Sequence, residues 1–136
     1  MTLYVDPSAL LKVYVEEEQS PEARRILVDP STWTTARHTL VEVRRNLSRL
    51  LAGDGLDTFR RWFEHDWSEL AVVELNEAVC TRAAELAEAT GVRTLDALHL
   101  GAASAAGADE GLPIVTFDRR LAAAALSLGW TVLPAE

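Results

Sequence analysis

Thr2-Leu3-Tyr4-Val5-Asp6-Pro7-Ser8 is the stretch on which the fold turns. Leu3, Tyr4 and Val5 form a short, unbroken apolar run that passes directly into turn chemistry at Asp6 and Pro7. A run of that kind is the signature of a central strand in a parallel sheet, because helices cover both of its faces. Asp6 then stands at the carboxyl end of the strand, the edge at which open α/β sheets place their ligand crevices. The same Asp-Pro pair is also a good helix N-cap followed by proline at the first helical position. Both readings stay open at this point. What decides between them is whether carboxylates from later in the chain reach the same edge of the same sheet.

The chain has 136 residues, 49% of them hydrophobic, which is the size of one domain spanning 1–136. A domain of this length buries roughly two-thirds of the surface its unfolded chain exposes. No apolar run approaches the roughly 20 residues of a membrane span. The N-terminus carries no basic segment followed by an apolar stretch and a cleavage site. These features predict a soluble, cytoplasmic protein with no membrane partner. The single cysteine, Cys80, excludes an internal disulfide framework and a thiolate zinc site. A net charge of -8 argues against binding nucleic acid by blanket positive charge and suits a chain that holds cations. Its positive charge is nearly all arginine and includes the pairs Arg24 and Arg25, Arg44 and Arg45, Arg60 and Arg61, and Arg119 and Arg120, so local basic patches survive the acidic total.

Helical spacing predicts a helix over 7–18 with Leu10, Leu11, Tyr14 and Val15 on one side, and a second over 20–28 capped by Ser20. A strand follows at 33–36. The stripe Leu40, Val43, Leu47, Leu50 and Leu51 then marks a helix over 38–51, closed by Gly53. Residues 56–67 place Phe59, Trp62, Phe63 and Trp67 on one helical face, either core or a partner surface. Strands are predicted at 71–75, 113–117 and 130–133. Between them lie a helix running from the cap Asn76 to Ala89 and one capped by Thr94 through Ala106, and a last one opens at Asp118. The alternation implies an α/β fold, a parallel central sheet of four to five strands flanked by helices.

Four acids stand out against this frame: Asp6, Glu42, Asp96 and Asp118. Each has a plain structural explanation. Asp6 and Asp118 can cap helices, Asp96 suits a first helical turn, and Glu42 can be an exposed helix residue. Yet Asp6 and Asp118 both follow strands at one sheet edge. Two carboxylates about 4 Å apart repel by roughly 4 kcal/mol at an effective dielectric near 20, so converging acids require protons or a divalent cation. Oxygen ligands without cysteine or a histidine cluster point to Mg2+, with Mn2+ as the alternative. Asp6 and Asp96 are the best candidates for direct metal ligation, Asp118 is a candidate metal ligand or a supporting partner of one, and Glu42 is the candidate for orienting or deprotonating an attacking water in phosphodiester hydrolysis. Arg45 and Arg49, on the flank of Glu42, are candidates for binding substrate phosphate. His99 reads as a packing or supporting residue, and His38 and His65 have no evident partner.

At these residues the chain resembles the PIN domains, and among them the VapC-type toxins of toxin-antitoxin pairs. The resemblance rests on Asp6 to Leu10, on Glu42 with Val43, on Leu95 to Ala103 and on Thr116, Phe117 and Asp118 followed by Leu121. It implies a Mg2+-dependent endoribonuclease with catalytic acids at Asp6, Glu42, Asp96 and Asp118 and supporting hydroxyls at Ser8 and Thr116. It also implies a homodimer inhibited by a small antitoxin protein. The chain is more acidic than that resemblance leads one to expect of an RNA-cleaving protein. Two other acidic-pocket folds fit less well. A phosphoacceptor receiver needs a lysine near the last strands, whereas the one lysine is Lys12, and a haloacid-type phosphatase needs an aspartate where Ser8 stands. The remaining alternative is a non-catalytic α/β module whose acids are helix caps and whose aromatic helix binds a protein.

Overall fold

The computed structural model describes residues 1–135. Strand β1 (Leu3–Val5) leads into helix α1 (Pro7–Tyr14), then α2 (Ser20–Ile26), a 3-10 turn at Pro30–Thr32 and β2 (Trp33–Ala36). Helices α3 (Thr39–Leu50) and α4 (Gly53–Glu69) precede β3 (Ala71–Val73). Helices α5 (Glu77–Thr90) and α6 (Thr94–Ala106) precede β4 (Ile114–Val115), and α7 (Arg119–Ser127) precedes β5 (Val132–Leu133). Among the described residues the sheet is five-stranded and wholly parallel, in the order β3-β2-β1-β4-β5. The first strand is therefore the central one. Tyr4 registers with Thr34 on one side and Ile114 on the other. No helix of the described residues is long and apolar enough to cross a membrane.

Strand alternation divides the core in two. Leu3 and Val5 face a cluster built with Leu10, Tyr14, Val43, Leu47 and Phe63, which α1, α3 and α4 cover. Tyr4 faces the opposite cluster, with Val79, Leu86, Leu100, Leu121 and Ala125 from α5, α6 and α7. The aromatic helix is mainly core. Phe63 is fully buried and Phe59 and Trp67 pack against it, while Trp62 stays 43% exposed. Tyr14 meets Trp62 and Phe63 edge-on, with centroids at 5.2 and 5.6 Å, and its hydroxyl donates to buried Asp66 at 2.7 Å.

Several element ends differ from expectation for local reasons. Helix α1 stops at Tyr14 because Val15 is extended, and the acidic residues after it form a loop rather than a helix end. Ser20 is not a cap. It is buried as the first residue of α2, where its hydroxyl accepts from the Glu17 amide at 2.8 Å and donates to the Val15 carbonyl at 3.1 Å, closing that loop. Gly53 opens α4 with φ +59° instead of closing α3, which ends in extended Leu51. Thr94 lies inside α6, behind Arg93 at the cap position. Asn76 caps α5 as expected, accepting from the Val79 amide at 2.9 Å.

Candidate active site

The carboxyl ends of β1 and β4 lie side by side and release Asp6 and Asp118 at one edge of the sheet. Helix α3 brings Glu42 there from one flank and α6 brings Asp96 from the other. All four acids line one cleft of about 300 Å3. Lys12, Asn46 and His99 share its wall, three residues that the sequence patterning did not assign to a site.

Asp6 accepts hydrogen bonds at both carboxylate oxygens. Its Oδ1 accepts from the Ala9 amide at 3.0 Å and from the Ser8 hydroxyl at 2.8 Å, and its Oδ2 accepts from the Thr116 hydroxyl at 2.6 Å. It is thus both an N-cap and a cleft residue, so the two readings of Asp-Pro are compatible. The hydroxyls also receive. Ser8 accepts from the Phe117 amide at 2.9 Å and Thr116 from the Asp118 amide at 3.0 Å, which ties the ends of β1 and β4 into one network. Asp118 caps α7 in turn, its Oδ1 accepting from the Arg120 and Leu121 amides at 2.9 and 3.2 Å.

Burial raises the Asp6 carboxyl above the ordinary carboxylate value, against the opposing pull of Thr116 and His99. The Asp96 carboxyl is raised as well, first by burial and next by the negative charge of Asp118. Neither carboxyl forms an ion pair among the described residues. Lys12, the nearest cation on the wall, lies 3.6 Å from Glu17 and over the Phe117 ring. The all-oxygen donor set of Asp6, Asp96 and Asp118 fits a hard divalent cation with several waters retained.

The structure corrects the expectation that the histidines are unclustered. His99 Nε2 lies 2.9 Å from Glu42 Oε1, and its Nδ1 lies 2.7 Å from the hydroxyl of buried Tyr4. His38 stacks on it with ring centroids 4.0 Å apart and places its Nε2 3.5 Å from the same Glu42 oxygen. Ligand atoms of His38, Glu42 and His99 all fall within 4.8 Å of one another. Two spacings in the sequence carried the signal: His38 and Glu42 are four apart, and Asp96 and His99 three apart, each pair on one helix face. Arg45 and Arg49 remain exposed and outside the cleft lining. Arg49 adjoins it through Asn46, donating to its Oδ1 at 3.1 Å.

Comparison with known proteins identifies the family. The family model described as PIN domain matches residues 3–126. Ribonuclease VapC45 of Mycobacterium tuberculosis (strain CDC 1551 / Oshkosh) is 34% identical, over 98% of this chain and 96% of the relative. Ribonuclease VapC46 of Mycobacterium tuberculosis (strain ATCC 25618 / H37Rv) is 31% identical over 96% and 95%. Among solved structures, Mycobacterium tuberculosis VapC20, a sarcin-ricin loop cleaving toxin, superposes with a TM-score of 0.71 at 17% identity, covering 90% of this chain and 95% of that one. FitAcB of Neisseria gonorrhoeae superposes with 0.73 at 16% identity, covering 96% of each. With its central first strand, its acids gathered at one sheet edge and a match along nearly its whole length, the chain belongs to the PIN domain family and stands there with the VapC proteins.

Proposed function

We propose that this protein is a Mg2+-dependent endoribonuclease, with Mn2+ as an alternative ion, and the toxin of a toxin-antitoxin pair. The observation that carries the reading is the meeting of Asp6, Glu42, Asp96 and Asp118 in one cleft at the carboxyl edge of the sheet. The names of its relatives support RNA as the substrate. A structural neighbour described as a toxin-antitoxin complex supports a protein inhibitor as partner. A homodimer acting in the cytoplasm completes the proposal.

Asp6, Asp96 and Asp118 would hold the cation, which when bound would supply positive charge to the phosphoryl oxygens and lower the pKa of water. Ser8 and Thr116 spend their protons on Asp6, keeping its carboxylate oriented, and their lone pairs on the backbone that presents Asp118. Glu42 accepts the proton of the attacking water. Arg45 and Arg49 neutralise phosphates of the RNA beyond the scissile bond. No protein nucleophile takes part.

The test is cleavage of RNA by the purified chain with Mg2+ or Mn2+, together with its melting temperature in the same titration. Wild type is expected to cleave and to melt higher with the cation, because binding to the folded state alone stabilises it. Asp96→Asn is expected to lose both effects while remaining folded. An Asp96→Asn variant that cleaves at the wild-type rate would overturn the reading. A wild type whose melting temperature ignores the cation would favour the non-catalytic module, in which the acids serve only as caps.

A further inference from the structure

The protons on the two histidines beside Glu42 can be placed from what surrounds each ring. His99 Nε2 faces Glu42 Oε1, and a carboxylate oxygen only accepts, so this nitrogen carries hydrogen. Its Nδ1 faces the hydroxyl of Tyr4, which is fully buried. With its hydrogen on Nε2, the neutral ring presents a lone pair at Nδ1, so the Tyr4 hydroxyl donates to it. His38 Nε2 faces two further acceptors, the Leu95 carbonyl at 3.4 Å and Glu42 Oε1 at 3.5 Å. Its Nδ1 is buried with no partner among the described residues, a costly place for an N–H, so the hydrogen again sits on Nε2. The His99 N–H is thus directed at Glu42 Oε1, while the His38 N–H is bonded to the Leu95 carbonyl and only adjoins the same oxygen. The lone pairs of both rings point away from it, which makes the trio a hydrogen-bonding cradle rather than a set of metal ligands.

We propose that His99 is a positioning residue for Glu42: fixed by Tyr4 behind it and by the stacked His38 beside it, it holds Oε1 and leaves Oε2 to the cleft. Among the described residues no other side chain donates a hydrogen bond to the Glu42 carboxylate, and Oε2 accepts none. Glu42 hangs on three rotatable bonds from a helix that leaves it 27% exposed. Without the cradle its carboxylate samples several rotamers, and the oxygen that takes the proton from water is misplaced for most of the time. The inference rests on the hydrolytic reading of the cleft given above.

Kinetics and nuclear magnetic resonance test it separately. His99→Leu is expected to lower kcat about 10- to 100-fold with KM little changed, and His99→Gln, whose amide can still donate, to restore most of the loss. In a Glu42→Gln background His99→Leu is expected to cost nothing further, since its effect passes through Glu42. A loss that persists in that background, or that falls on KM, would overturn the proposal. If His99→Leu fails to fold, Tyr4→Phe carries the test. It keeps the ring, and it should lower kcat several-fold in the wild type but not beside Glu42→Gln. In the metal-free protein the ring nitrogens of His99 should report the Nε2–H tautomer, and Tyr4→Phe should mix in the other. A Nδ1–H tautomer in the wild type would sink the idea. A wild type that shows the expected tautomer and responds to Tyr4→Phe yet cleaves no RNA would uphold the anchoring of Glu42 and remove the hydrolytic reading instead.

Discussion

Burial lowers the pKa of His38 to about 4, with the neighbouring His99 adding to the shift. The unfolded chain protonates the same ring near 6.5 and so binds more protons between these values. Stability must therefore fall as pH drops from about 6.5 towards 4, and His38→Gln should flatten that part of the profile. Asp66 works in the opposite sense. Burial raises its carboxyl above 3.8, partly offset by the Tyr14 hydroxyl, so the folded state binds the extra proton and stability falls as pH rises through the raised value. Asp66→Asn keeps an acceptor for Tyr14 and should remove this second dependence. Urea midpoints measured at several pH values between about 4 and 7 separate the two contributions. Asp6 and Asp118 could be read from the sequence because strand ends and helix caps mark where they lie, whereas Glu42 and Asp96, inside helices, stood out only together with them. Tyr4 could not be connected to His99 in that way, since their bond spans 95 positions and each residue alone reads as core.

Helix α6 carries Asp96 and His99, and its distance from α5 is set by Gly101. A Cβ at that position would lie 2.7 Å from the Val79 carbonyl oxygen and 2.9 Å from the Ala83 Cβ, closer than packed atoms come. Gly101→Ala is expected to force the two helices apart and to cost about 1–3 kcal/mol, read from urea denaturation. It should also weaken RNA cleavage, because the displaced helix holds two residues of the cleft. Strands and helices were recognisable in number and order, since apolar periodicity records which face each element buries. Their ends were less so. Ser20 looks like a cap but acts as a loop closure, and Gly53 looks like a terminator but begins a helix. Side-chain chemistry alone does not say which neighbouring backbone group will be free to receive it.

A chain of net charge -8 gains no general attraction to RNA, so binding must depend on where its arginines stand. Arg45 and Arg49 form no ion pair among the described residues and flank the stretch of α3 that lines the cleft. Neutralising both is expected to weaken RNA binding and to flatten its salt dependence by about 0.7 to 0.9 for each phosphate that is no longer neutralised. An unchanged slope would place the RNA elsewhere, with Arg119 and Arg120 the next pair to test. The sheet order carries a separate consequence, one of timing. The first strand of the domain is the middle of its sheet, and Asp6 receives its Thr116 bond from a residue 110 positions later. Long-range closures of this kind form late in folding. The cleft therefore has no assembled form on a nascent chain until β4 and Asp118 have emerged, and a polypeptide arrested earlier lacks both the bond that fixes Asp6 and one of its four acids.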